Sequence, residues 1–86
     1  MYFKISLNDF TDVNKFVSVM QGISEDTILH SGRFAVDAKS IVGIFSLDLS
    51  KPLMLEIDAH GEDIEEEKFA KLLKDFEVKN ENKHRI

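Results

Sequence analysis

The chain opens on alternating apolar and polar positions. Between Tyr2 and Leu7 the residues Phe3, Ile5 and Leu7 share one side, which is the period of a half-buried strand. Asn8 and Asp9 follow with turn chemistry. The period then lengthens. Val13, Phe16, Val17 and Met20 stand at i, i+3, i+4 and i+7, the stripe of an amphipathic helix. Thr11 or Asp12 is its expected N-cap, and Gly22 sits where a C-terminal glycine belongs. Thr27, Ile28 and Leu29 predict a second strand, Ser31-Gly32 a hairpin turn, and Arg33 to Asp37 a third strand with Phe34 and Val36 on one face. A short helix is expected from Ser40 to Leu47, broken off by Lys51-Pro52. Leu53, Leu55 and Ile57 alternate in a fourth strand, and Ala59 continues their face.

The last helix carries a charge signature. Asp63-Ile64-Glu65-Glu66 can form a capping box, and five acids lie between Glu62 and Glu67. Lys68, Lys71 and Lys74 come later, so both signs complement the macrodipole. Phe69, Leu72, Leu73 and Phe76 make the expected buried stripe, and Lys79 to Ile86 reads as a polar tail. The order is βαββαβα. Four strands with one apolar face and three helices to cover it predict an α+β two-layer, open-faced sandwich with an antiparallel sheet. Residues 1–78 are expected to form one domain, with 79–86 outside it.

Composition narrows the function classes. A net charge of −5 disfavours nucleic acid and anionic membranes as partners. The chain has no cysteine, which rules out disulfides and thiolate zinc sites. No apolar run reaches membrane-spanning length. The N-terminus lacks a signal-peptide block, so the cytoplasm is the expected compartment. No nucleophile–base pair, glycine-rich phosphate loop or metal-ligand spacing is visible. Neither an enzyme nor a cofactor or metal is expected. His30, His60 and His84 read as solvated turn or tail residues. The acidic run from Glu62 reads as helix capping and a solvated face.

One segment stands out, Val36-Asp37-Ala38-Lys39-Ser40-Ile41-Val42-Gly43-Ile44-Phe45-Ser46-Leu47. A strand ends, a serine marks the boundary, and an apolar helix begins. Unpaired N–H groups and the positive end of a helix favour an anion on such a serine. A serine there is also an ordinary N-cap, and the two roles are compatible. The helix is apolar at nearly every position and cannot bury all of them against one sheet. Val42 and Phe45, three apart, are the residues expected to face outward, whereas Ile41, Ile44 and Leu47 have core character.

Gly32 to Glu62 resembles HPr, the small phosphocarrier of the bacterial sugar phosphotransferase system. Lys39-Ser40-Ile41-Val42-Gly43-Ile44-Phe45-Ser46-Leu47 is similar to the Lys-Ser-Ile-x-Gly-x-x-Ser-Leu pattern of Gram-positive members, whose serine a dedicated kinase phosphorylates. Leu55-Glu56-Ile57-Asp58-Ala59-His60-Gly61-Glu62-Asp63 fits as the strand leading through glycine to the last helix. The resemblance implies the βαββαβα sandwich, regulatory phosphorylation at Ser40, and partner contacts from Lys39, Ile41, Val42 and Phe45. It also implies protein partners such as a serine kinase and a transcription regulator of the HPr-binding type.

The resemblance fails where the family's chemistry lies. HPr proteins carry phosphate on a histidine at the start of the first helix, with an arginine and a proline close behind. An imidazole nitrogen is nucleophilic at neutral pH, and a guanidinium holds the transferred group. Asn8-Asp9-Phe10-Thr11-Asp12-Val13-Asn14-Lys15 contains none of the three. Phe10, Thr11 and Asp12 form a degenerate phosphocarrier loop, and a threonine with no base beside it is a poor acceptor. The expected function is therefore regulatory, without histidine phosphocarrier activity. Two alternatives stay open: a phosphocarrier using another acceptor such as His30 or a hydroxyl, and an accessory subunit without phosphorylation. The oligomeric state is also open.

Overall fold

The computed structural model describes residues 1–58 and 66–78. Its elements run β1 (Tyr2–Ile5), α1 (Phe10–Gln21), β2 (Asp26–Ser31), β3 (Phe34–Asp37), α2 (Ile41–Phe45), β4 (Leu53–Asp58) and α3 (Glu66–Leu72). The strands form one antiparallel sheet in the order β1-β4-β2-β3. This is the predicted α+β sandwich. Register explains why the alternation was so clean. Phe3 pairs with Leu55, Leu55 with Leu29, and Leu29 with Val36, so one apolar row crosses all four strands under the helices. Val13, Phe16, Val17 and Met20 of α1, Ile44 of α2, and Phe69 with Leu73 and Phe76 close over it in one core. A fully buried Leu or Phe contributes roughly 1.5–3 kcal/mol, and this row and its cover account for most of the apolar burial.

The two sheet edges differ. β1 is lined on its outer side by residues 76–78: Ser6 N–H donates to Phe76 O, Val78 N–H donates to Lys4 O, and Ile5 bridges to Glu77. Among the described residues β3 has no such cover. At the other end of β3 the hairpin turn comprises Gly32 and Arg33, with Ser31 still in β2, one residue later than Ser31-Gly32. Among the described residues Gly32 alone has positive φ, +61°, which is the demand of a type II′ turn at its first central position. Replacing Gly32 with alanine is expected to cost about 1–2 kcal/mol, because an L-residue pays for the left-handed conformation. Chemical denaturation of the two proteins would measure it.

Several local expectations need correction. The α1 N-cap is Asp9, not Thr11 or Asp12. The Asp9 carboxylate reaches the N–H of Asp12, so the helix starts early enough to place Phe10 in its first turn. Ser40 and Ser46 flank α2 as caps and are not inside it. Leu72 is 39% exposed; it lies on the flank of the line formed by Phe69, Leu73 and Phe76, whose spacing of four and three follows the helical repeat. Phe34 does share a face with Val36, but that face runs out of helical cover at the turn, and Phe34 is 68% exposed. Ala59, the capping box at 63–66, His60, His84 and the tail at 79–86 lie outside the described residues.

Candidate docking and phosphorylation site

Ser40 occupies the corner where β3 passes into α2. Its backbone is extended (φ −111°, ψ 114°), and its Oγ accepts the N–H of Gly43 at 3.1 Å. Its own N–H donates to Asp37 O at 3.0 Å. The neighbouring turn is tied from both sides. Lys39 N–H donates to Asp37 Oδ1 at 2.9 Å, and Lys39 Nζ donates to Ile23 O at 2.9 Å. Gln21 Nε2 donates to Lys39 O at 3.2 Å. The Lys39 ammonium is thus committed to the end of α1, where it holds the α1 terminus against the entrance of α2. Gly43 lets α2 approach the sheet: a Cβ there would stand 3.2 Å from Val36 Cβ and 3.3 Å from Ser40 Oγ. The Ser46 hydroxyl donates to Gly43 O, so it is spent on the helix end.

Five residues cannot hide every apolar side chain against one sheet face. Ile44 is fully buried and Leu47 nearly so. Val42 is 82% exposed and Phe45 43%, as expected. Ile41, which shares Ile44's side of the helix and has the same core character, is nevertheless 37% exposed in the first turn. Three apolar side chains therefore face solvent from one short helix.

The α1 N-terminus extends this patch, which the linear sequence did not disclose. Phe10 stacks on Phe45 with ring centroids 5.7 Å apart and planes within 13°. Such a pair contributes about 0.5–1.5 kcal/mol beyond area burial. Phe10 remains 62% exposed, so the stack presents an aromatic surface. Beside it one carboxylate engages a first-turn donor and a second holds the chain entering the helix. Asp12 N–H donates to Asp9 Oδ1, and Asn8 N–H donates to Asp12 Oδ2, each at 2.9 Å. Thr11 is exposed in the same turn. Phe10, Thr11 and Asp12, expected to form a loop, are instead the first turn of α1, and with the helix after Ser40 they make one continuous region, apolar at the stack and acidic at its α1 side.

His30 lies elsewhere. It alternates with the buried Leu29 on β2, so its ring stands on the open face of the sheet, opposite the helices. Its Nε2 is 2.8 Å from Glu56 Oε1 on β4. Both side chains are half-buried. The residue is a cross-strand partner on a central strand, not a solvated turn residue, and its nearest charged group is a carboxylate. A sheet register of His30 to Met54 puts Glu56 at the diagonal position, a neighbour that one sequence cannot reveal.

Four antiparallel strands covered on one face by three helices, with a serine-capped short helix at one corner, define an HPr-like open-faced sandwich. Residues 12–80 match the family model described as PTS HPr component phosphorylation site. The chain belongs to the HPr family, the phosphocarrier family of the phosphotransferase system, whose members act through other proteins. No curated protein matches the chain. No helix among the described residues is long and apolar enough to cross a membrane.

Proposed function

We propose that this chain is a regulatory HPr-family protein that is bound by partners and does not relay phosphoryl groups from a histidine. The exposed stack of Phe10 on Phe45, contiguous with Val42 and Ile41, carries this reading. Apolar surface gathered around an aromatic anchor is what protein partners bury. Ser40 is the switch: its hydroxyl already points into the α2 entrance, and a phosphate added there would place a dianion beside the docking face. Lys39 contributes by holding that entrance in place. The partners are a serine kinase and a transcription regulator of the HPr-binding type, and the compartment is the cytoplasm.

Loss of histidine transfer follows from the groups at the α1 N-terminus. No imidazole or guanidinium is present between Asn8 and Lys15. The carboxylates of Asp9 and Asp12 stand at the positive helix end where a transferred phosphate would sit, Asp9 taking the N–H of Asp12, and they repel one. His30 is held against Glu56 on the opposite sheet face, where an incoming phosphoryl group would meet a negative charge.

Two labelling experiments test the reading. Incubation with phosphoenolpyruvate and the first enzyme of the phosphotransferase system is expected to leave the chain without acid-labile phosphate; such a label would establish a phosphocarrier instead. Incubation with the serine kinase and ATP is expected to add one acid-stable phosphate to the wild type and none to Ser40→Ala. A lack of modification in both would favour an accessory subunit. The same substitution removes the α2 cap, which costs about 1 kcal/mol, so the variant remains folded enough to serve as the control.

A further inference from the structure

A second region faces outward beyond α2. A groove of about 560 Å³ runs between the β2–β3 turn and the segment after α2, lined by Arg33, Phe34, Ser46, Leu47, Asp48 and Lys51. Its floor is apolar: Leu47 belongs to the core and Phe34 is the aromatic that the helices leave uncovered. Two cations stand on this floor's rim. Neither Arg33 nor Lys51 has a carboxylate within ion-pair distance among the described residues, although the chain carries a net charge of −5. The one acid of the groove is turned to its own loop. Asp48 Oδ1 accepts both the hydroxyl and the N–H of Ser50, at 2.6 and 3.0 Å. These two bonds, with a further contribution from the Lys51 charge, hold its carboxyl below the usual carboxylate range. At neutral pH the groove therefore presents two cations against one carboxylate whose acceptor Oδ1 is already used.

We propose that this groove binds an acidic segment of a partner protein, one carboxylate on Arg33 and Lys51 and an adjacent apolar side chain on Phe34. The charge balance favours this occupant. An acidic segment would be repelled by most of the chain's surface and attracted here, and a guanidinium can take a carboxylate in two parallel hydrogen bonds. The apolar floor gives the neighbouring side chain a place to be buried. The site uses none of the residues assigned to α2 docking, and it does not need phosphate on Ser40, so it extends the regulatory reading without depending on it.

The test uses the isotope-labelled full chain and an unlabelled hexapeptide with a Leu-Glu-Glu-Leu centre. Heteronuclear NMR is expected to show saturable amide shifts at Arg33, Phe34, Leu47 and Lys51, with saturation below about 1 mM. Arg33→Glu combined with Lys51→Glu is expected to weaken binding about tenfold or more, and Phe34→Ser to weaken it as well. A peptide with glutamine in place of both glutamates is expected not to bind the wild type, which tests the charge requirement without any variant. Equal binding of the two peptides, shifts confined to Val42 and Phe45, or no saturation would each overturn the proposal. Inorganic phosphate moving the same amides at equal or lower concentration would overturn it in favour of a small-anion site.

Discussion

Replacing Phe16 with alanine is expected to destabilise the protein by about 3–5 kcal/mol. Phe16 is fully buried at the centre of the α1 stripe, and its ring meets that of Phe76 edge to face, with centroids 5.5 Å apart and planes at 83°. The contact reaches further than α1. Phe76 begins the stretch that lines the outer edge of β1, where Phe76 O accepts from Ser6 N–H and Glu77 bridges to Ile5. Removing the ring leaves a cavity and loosens that edge together. Domains have about 5–15 kcal/mol in total, so the variant should retain only a fraction of its stability. Urea unfolding followed by circular dichroism would measure the shift. Phe16→Leu keeps most of the volume and should cost about 1.5 kcal/mol or less. A loss below about 1 kcal/mol for the alanine variant would mean that α1 is not seated as described.

Phe45→Ala is expected to act in the opposite way, with little effect on folding and a large one on binding. Its ring is partly in water already, and its ordered neighbour is the exposed Phe10. Truncation therefore creates no core cavity and removes only a surface stack, about 0.5–1.5 kcal/mol. A central aromatic anchor carries at least about 2 kcal/mol of binding energy, or roughly a thirtyfold change in Kd. Calorimetry of the Ser40-phosphorylated chain with the HPr-binding transcription regulator would read it. Phe10→Ala should show a smaller loss in the same direction, since it removes the ring that holds Phe45 in place. Unchanged affinity in both would remove α2 from the docking surface while leaving the fold intact.

The two variants separate what was readable along the chain from what was not. Phe16 is marked as core by its place in an i, i+3, i+4, i+7 run, and the structure buries it. Crowding on a short apolar helix predicts that Phe45 faces outward, and its ring is exposed. Phe10 and Phe45 are far apart in sequence, however, and no local pattern predicts that they touch. Phe34 is the clearest case. Alternation places it on the apolar face with Val36, and the register agrees, but no helix reaches that end of β3. The only hint was its position directly after the turn at Gly32-Arg33. His30 likewise reads as a turn residue when β2 is expected to end at Leu29; one more residue of pairing with β4 brings it opposite Met54 and diagonal to Glu56. Asp9 does not stand out along the chain because Asp12 and Thr11 are capping types too, and only the entry angle of the chain into α1 chooses among them.

By itself the amino-acid order determined the succession of strands and helices, the apolar face of the sheet, the Ser40 boundary and the missing imidazole between Asn8 and Lys15. Each of these depends on residue type and on periods of two or about four positions, which neighbours along the chain are enough to set. The tertiary structure alone decided that the α1 N-terminus and α2 share one aromatic surface, that Lys39 is tied to Ile23, that His30 faces Glu56 and that Arg33 and Lys51 border one groove. Those are distances between segments far apart in sequence, and they follow from strand register and helix placement, which the summed packing of the whole core selects.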